Sequence, residues 1–375
     1  MRIANRRLRY LAPAGVAGVV ALAAGIPSLT AGASASNLPA ITAQALIAKV
    51  KEANVQALQG TVQWTANLGL PDLSGLTSGN DGQVATTSGF DPTSLLSGTH
   101  DINVWSDGNN QRLSLPTGMA ETDLVRVGDQ AWLYDSTNQH VTHYVPAQSP
   151  SGSGPATSGP APGPAGAPLT PDQQAANILA KLSPSTAVTA APADEVAGQP
   201  VYQLTLAPQP GSQAAASSTL DRVTISVDAN NGLPLAVAVY AAGVAAPVLS
   251  LGFTSVSFAA PAASNFAPPV GTSTTTKTVN PPAGHAEGGT PSSNGTSVSG
   301  PPWAWVLSAP SASGGGALSS PTVLQATTPV TGSFGTARLL HTSVINVLFL
   351  PNGAVLAGFV TPATLEAEAA GPVGH

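Results

Sequence analysis

His140 and His143 are the closest pair of histidines in the chain, three positions apart on a segment that reads as a β-strand. Alternation along a strand sends residues i and i+3 to opposite faces, so the two cannot hold one metal ion while that strand is regular. The other four, His100, His285, His341 and His375, are isolated from them. Carboxylates occur in short pairs, Asp194-Glu195 and Glu121/Asp123, beside turns or on polar strand faces. With no His or Lys alongside, they read as solvated pairs rather than an acid–base dyad. Ser313-Gly-Gly-Gly316 lacks the Lys-Ser/Thr that completes a phosphate loop, and no Gly-x-Ser-x-Gly elbow joins a strand to a helix. Cysteine is absent, which excludes a disulfide scaffold, a thiolate zinc site, a thiol nucleophile and an acylated cysteine. No catalytic residue, metal or cofactor is expected. The 12 basic residues form no cluster outside the N-terminus, so nucleic acid is not an expected partner.

Apolar and aromatic residues carry more information. Only 8% of residues are charged while 42% are hydrophobic, enough to bury a sizeable core. From Gly60 to Leu70, Val62, Trp64, Ala66, Leu68 and Leu70 alternate with Thr61, Gln63, Thr65 and Asn67, the pattern of a strand with one dry face. A helix is predicted just before it, from Ile41, Ala45, Leu46, Val50, Ala53, Ala57 and Leu58 at three- and four-residue spacing, ending at Gly60. Strands are predicted near 99–107, 111–116, 121–128, 130–135 and 139–145, with turns at Asp107-Gly108, Gly128-Asp129 and Asp135–Asn138. A helix over 170–182 follows, with Thr170 as cap, Pro171 at its first position and Gln173 closing a capping box. Five further strands are predicted near 186–197, 200–207, 219–228, 233–241 and 247–258. Short connections imply an antiparallel meander. About eleven strands imply strong curling, with two helices available to cover one face.

The ends and connections divide the chain. Arg2, Arg6, Arg7 and Arg9 precede an uncharged run from Tyr10 to Ile26 and small-residue sites at 31–35. Residues 1–35 therefore read as a secretory signal peptide, or as an N-terminal membrane anchor if uncleaved. Removing them leaves eight basic residues against 18 acidic ones. The body spans 40–266, interrupted by a Pro/Gly/Ser-rich insertion at 146–168. Residues 267–300 read as a disordered linker. A small C-terminal α+β domain at 301–368 is expected to hold a short helix near 320–327 and a hairpin about Pro351-Asn352-Gly353.

Val125-Arg-Val-Gly128-Asp-Gln-Ala-Trp132-Leu-Tyr134-Asp135 through Val141-Thr142 resembles the central hairpin of the LolA-type lipoprotein carriers. Arg112-Leu113-Ser114-Leu115 is similar to that family's Arg-aromatic strand, with leucines for the aromatics. The resemblance covers about 40–266 and extends to the fold shared by the LppX and LprG lipid carriers. With a second small domain it also resembles the two-domain RseB-type regulators. It implies a mainly β (α+β) fold, a curled antiparallel half-barrel of about eleven strands with a helical lid over a hydrophobic cavity. Candidate lining residues are Val62, Trp64, Leu68, Leu70, Trp105, Leu113, Leu115, Trp132, Ile178, Leu179 and Leu182; ordinary core packing is the alternative for each. The function implied is extracytoplasmic, non-catalytic carriage of lipid or lipoprotein acyl chains, with transient membrane contact. The alternatives are a regulator that binds a membrane anti-sigma factor and an exported structural β protein with a filled core.

Overall fold

A computed structural model describes residues 38–69, 97–146, 170–180, 185–279, 297–301, 303–309 and 321–371. The signal segment, nearly all of the 146–168 insertion, Leu70 and Leu182 lie outside them.

The chain folds as helix α1 (Ala43–Glu52), strands β1 (Leu58–Asn67), β2 (Ser97–Ser106), β3 (Asn110–Thr117), β4 (Ala120–Val127), β5 (Gln130–Asp135) and β6 (His140–Pro146), helix α2 (Pro171–Ala180), then β7 (Thr186–Val196) and β8 (Gln199–Pro208). A short helix α3 (Gln213–Ser217) leads to β9 (Leu220–Asp228), β10 (Pro234–Ala241), β11 (Leu249–Ser257) and β12 (Ser273–Val279). The C-terminal part comprises β13 (Ser297–Ser299), β14 (Val306–Ala309), α4 (Pro321–Ala326), β15 (Thr328–Gly332), β16 (Gly335–His341), β17 (Asn346–Phe349), β18 (Val355–Gly358) and α5 (Pro362–Ala370).

Two sheets result. The large one has twelve strands in the order β12-β6-β5-β4-β3-β2-β1-β11-β10-β9-β8-β7; the small one has six, β13-β14-β18-β17-β16-β15. The large sheet is open, with β12 and β7 at its ends. It curls, because Val196 and Val201 at the β7–β8 turn share a core cluster with Ile102, Val104, Leu113 and Leu115 of β2 and β3, several strands away. That is the mainly β, half-barrel fold expected from the hairpin pattern, and ten of the predicted body strands match observed ones within two residues.

Two boundaries differ. The first helix ends at Glu52, not at Gly60; Leu58 already pairs with Ser106 in the ladder. Sheet pairing overrides the local helical spacing here, and Gly60 serves a close strand contact instead of a cap. The 267–300 segment is not wholly a linker. Ser273–Val279 pairs parallel with β6, the one parallel pairing among the described strands of this sheet, and Ser297–Ser299 joins the small sheet. A run of β-branched Thr suits an edge strand, and the open edge of β6 supplied its partner.

The small sheet packs on the large one. Ser218 bridges Val360, Thr219 N–H donates to Phe359 O and Thr361 N–H to Ser217 O. Beneath this seam Leu68, Ala241, Val248 and Val344 form a buried cluster. Asn346, fully buried, holds the turn that presents Val344: its Oδ1 accepts from Thr342 N–H at 3.1 Å and its Nδ2 donates to Val360 O at 2.7 Å.

Candidate functional site

Register assigns each side chain to a face. Val62 lies opposite Ile102 and Phe253, and Val104 opposite Leu113. These, with Leu115 and Leu251, form the apolar face of β1, β2, β3 and β11. The same face continues through Val237, Ile225 and Leu204, where it meets the helices. Leu46 of α1 and Ala175 and Leu179 of α2 pack there against Leu204, Leu206, Val223 and Ile225.

Helix α1 is amphipathic and capped by the Thr42 hydroxyl, which accepts from Ala45 N–H at 3.2 Å. Helix α2 lies against β10 and β11. Its capping box is half made: Thr170 N–H donates to Gln173 Oε1 at 3.2 Å, while the Thr170 hydroxyl is buried with no hydrogen-bond partner among the described residues. In the described part of α2, Pro171, Ala175 and Leu179 are buried and Ile178 is half-buried. The helix is thus held mainly by a few aliphatic contacts.

The structure divides the predicted lining residues into four groups. Val62, Leu113 and Leu115 are buried together, with Trp64 packed against them. Ile178 and Leu179 join the α1–α2 cluster. Leu68 belongs to the seam with the small sheet. Trp105 and Trp132 lie on the opposite face, since Val104 and Leu133 beside them are buried on the apolar one.

That opposite face carries the polar chemistry. Arg112 donates to Asp123 Oδ2 at 2.7 Å and its guanidinium lies 5.4 Å from the centre of the Trp105 ring. Glu121 approaches the same arginine at 3.9 Å and accepts from the Ser114 hydroxyl. The expectation of a solvated Glu121/Asp123 pair fails for Asp123, which is 5% exposed. The missing partner was Arg112, one strand over, which strand spacing alone does not reveal. Burial pushes the Asp123 carboxyl above its ordinary value, against the opposing pull of Arg112, with Glu121 adding to the rise. Asp123 Oδ1 and Arg112 Nε are both buried without hydrogen-bond partners among the described residues. The 3-10 turn Ala263–Phe266, on the way from β11 to β12, packs against β3 and β4. Among the described residues Arg112 is committed to Asp123 and Trp105. Farther along, Trp132 stacks on His143 with ring centres 4.6 Å apart, while His140 turns to Ser273 of β12 at 2.8 Å.

Beside Trp105 the face opens into a groove of about 340 Å³ lined by Gln59, Gly60, Thr61, Asn103, Trp105, Ser255, Val256 and Ser257. Sequence reading missed it. Its signal was the polar half of the β1 alternation, which reads as an ordinary wet face.

No protein-family model matches the chain, and no curated protein matches it. Among solved structures it is similar to MucB in complex with MucA(peri), at 16% identity and a TM-score of 0.41, covering 87% of this chain and 97% of that one. A MucA/MucB complex from Pseudomonas aeruginosa is similar at 15% identity and a TM-score of 0.41, covering 87% and 96%. A LolA superfamily protein from Nitrosomonas europaea is similar at 14% identity and a TM-score of 0.21, covering 60% of this chain and 98% of that one. The proteins it resembles thus include MucB, which is RseB-like, and a LolA superfamily member.

Proposed function

We propose that the chain is an extracytoplasmic, non-catalytic carrier that holds a lipid or a lipoprotein acyl chain between the apolar face of the large sheet and helices α1 and α2. The supporting observation is the contrast between lid and bed. Leu204 and Ile225 are fully buried in an aliphatic floor, whereas α2, seated over β10 and β11, joins that cluster through Ala175 and Leu179 with its cap half satisfied among the described residues. Displacing α2 uncovers an aliphatic surface that an acyl chain can replace contact for contact. Burial of an acyl chain contributes ~0.8 kcal/mol per methylene, so about ten to fourteen methylenes give roughly 8–11 kcal/mol before ordering and lid-opening costs. Those costs make release feasible. Among the described residues no helix is long and apolar enough to cross a membrane; export would rest on residues 1–35.

Native mass spectrometry of gently purified protein tests this reading, together with titration of a fluorescent fatty acid. Co-purified lipid, displaced by the probe one for one, supports it. Protein free of lipid that also fails to bind the probe at micromolar concentration overturns it in favour of a filled core.

A second reading, a regulator that binds a membrane anti-sigma factor, draws on the small sheet. Among the described strands its β15 is terminal and pairs only with β16, and such an edge can accept a partner's strand. The two MucB structures named above are complexes with MucA. Calorimetric titration with the extracytoplasmic part of an anti-sigma factor distinguishes the two: a protein complex without bound lipid favours the regulator.

A further inference from the structure

We infer that the groove beside Trp105 is a binding site for a neutral saccharide, on the face of the large sheet opposite the acyl-chain bed. It lies in the middle of the sheet, across β11, β1 and β2. At the groove β1 and β2 are paired on both sides, while Ser255–Ser257 of β11 pair with β1 and lie beyond the stretch of β11 that pairs with β10. A peptide adding a strand there is the competing occupant that the experiment below includes. What the groove offers is side chains. The Trp105 ring is one wall; Gln59, Thr61, Asn103, Ser255 and Ser257 supply amides and hydroxyls; none of the lining residues is charged. An apolar ring surface beside uncharged donors and acceptors matches a pyranose, which presents a C–H face and a rim of hydroxyls. An anionic ligand would find no cation in the lining, and a fatty acyl chain would leave the amides and hydroxyls unpaired. The volume, about 340 Å³, is at the small end of the ~300–1,000 Å³ typical of ligand pockets, suited to a terminal sugar or a short segment of a chain.

The surroundings hold the groove in shape. The pairing of β1 with β11 slips between Thr61 and Val62, a bulge of the kind that re-aims side chains. The bulge is tied down: Thr61 N–H donates to the Ser255 hydroxyl at 3.2 Å and Thr254 Oγ1 donates to Thr61 O at 3.2 Å. Thr61 Oγ1 donates to Asn103 Oδ1 at 3.0 Å, which fixes the Asn103 amide and leaves its N–H₂ to a ligand. Gln59 makes no side-chain hydrogen bond among the described residues. Trp105 is held from its other side by Arg112, itself anchored to Asp123. Arg112 is thus a positioning residue for the indole.

The experiment is saturation-transfer NMR and calorimetry on the full chain with maltopentaose, cellopentaose and mannopentaose, each against wild type, Trp105→Ala, Trp105→Phe, Gln59→Ala and Trp132→Ala. Expected is millimolar or tighter binding of at least one sugar, reduced tenfold or more by Trp105→Ala, retained in part by Trp105→Phe, weakened by Gln59→Ala and unchanged by Trp132→Ala. Circular dichroism and melting confirm that each variant is folded; if Trp105→Ala is not, Gln59→Ala and Asn103→Ala carry the comparison. No binding of any sugar by wild type, binding indifferent to the groove variants, or binding of an uncharged Gly/Ser peptide in place of the sugars overturns the assignment. A lipid-free protein that binds sugar leaves it standing, because the acyl-chain bed is on the other face.

Discussion

Truncating the bed and the lid separately distinguishes a movable helix from a fixed one. Leu204 is fully buried on β8, paired with Ile225 and packed in the cluster that Leu46 and Leu179 close from above. Leu204→Ala removes three carbons, ~2.4 kcal/mol at ~0.8 kcal/mol per methylene. Its in-sheet neighbours are locked in the ladder and only the helices above can relax into the space, so part of the cavity remains and the total should be about 3–5 kcal/mol. Leu179 is also buried, but on a ten-residue helix that can shift or lift. Leu179→Ala should therefore cost only about 1–2 kcal/mol, because the helix re-seats over the gap. Guanidinium unfolding monitored by tryptophan fluorescence gives both values, and the fatty-acid probe gives the accompanying change in affinity. The lid argument predicts that Leu204→Ala binds the probe as well as wild type or better, while Leu179→Ala binds it more weakly. If Leu179→Ala costs as much as Leu204→Ala with an unchanged slope, α2 is an integral part of a filled core and the lid argument fails. If Leu204→Ala costs under ~1 kcal/mol, the floor is not packed as described.

Three other perturbations probe the polar face and the seam. The folded Asp123 carboxyl titrates above its ordinary 3.8, so the folded state binds its proton more tightly than the unfolded one. Its contribution to stability is therefore greatest below 3.8 and declines as pH rises through the folded value. The stability difference between wild type and Asp123→Asn, from urea melts, should accordingly shift toward wild type as pH falls toward 4, and a shift the other way would show that the Arg112 pairing dominates. Gly60→Ala would bring a methyl within 2.1 Å of the Ser255 carbonyl oxygen; it should cost about 1–3 kcal/mol and distort the groove, read as a lower melting temperature and lost sugar signals. Asn346→Ala leaves Val360 O and Thr342 N–H buried and unpaired at the seam, so it should cost about 1–3 kcal/mol and speed proteolytic release of the small sheet; an unchanged cleavage pattern would mean the seam does not depend on that turn.

The hairpins of the body were legible because their signals are local. Asp107 accepts from the Asn109 and Asn110 N–H groups, and Asp228 from those of Asn230 and Asn231, as turn-forming side chains do. What stayed hidden depends on residues distant in sequence. Parallel β12 forms because β6, more than a hundred residues earlier, has a free edge; nothing near Ser273–Val279 announces that partner. Trp105 and Trp132 were grouped with Val62 as cavity lining because each lies on a strand, and only the register puts them on the other face. Leu68 continues the β1 alternation, yet it is buried in a cluster that joins Val344 beside the small sheet to Ala241 and Val248 of the large one.

The two faces of the large sheet follow different physical rules, and the difference bears on how the chain could act. If the apolar face takes an acyl chain as proposed, it would recognise by area, so its affinity would grow with chain length and distinguish lipids poorly. The groove recognises by uncharged hydrogen-bonding groups set beside one indole, where a missing hydroxyl leaves a donor unpaired and selectivity is correspondingly higher. Strand β1 belongs to both: Val62 packs into the apolar cluster, while Gln59 and Thr61 line the groove, and the bulge at Thr61/Val62 lies between them. A ligand that straightened or tightened that bulge would move residues on both faces of one strand. Were both proposed ligands to bind, coupling between them would require no displacement of the small sheet, only a change at the register shift between Thr61 and Val62.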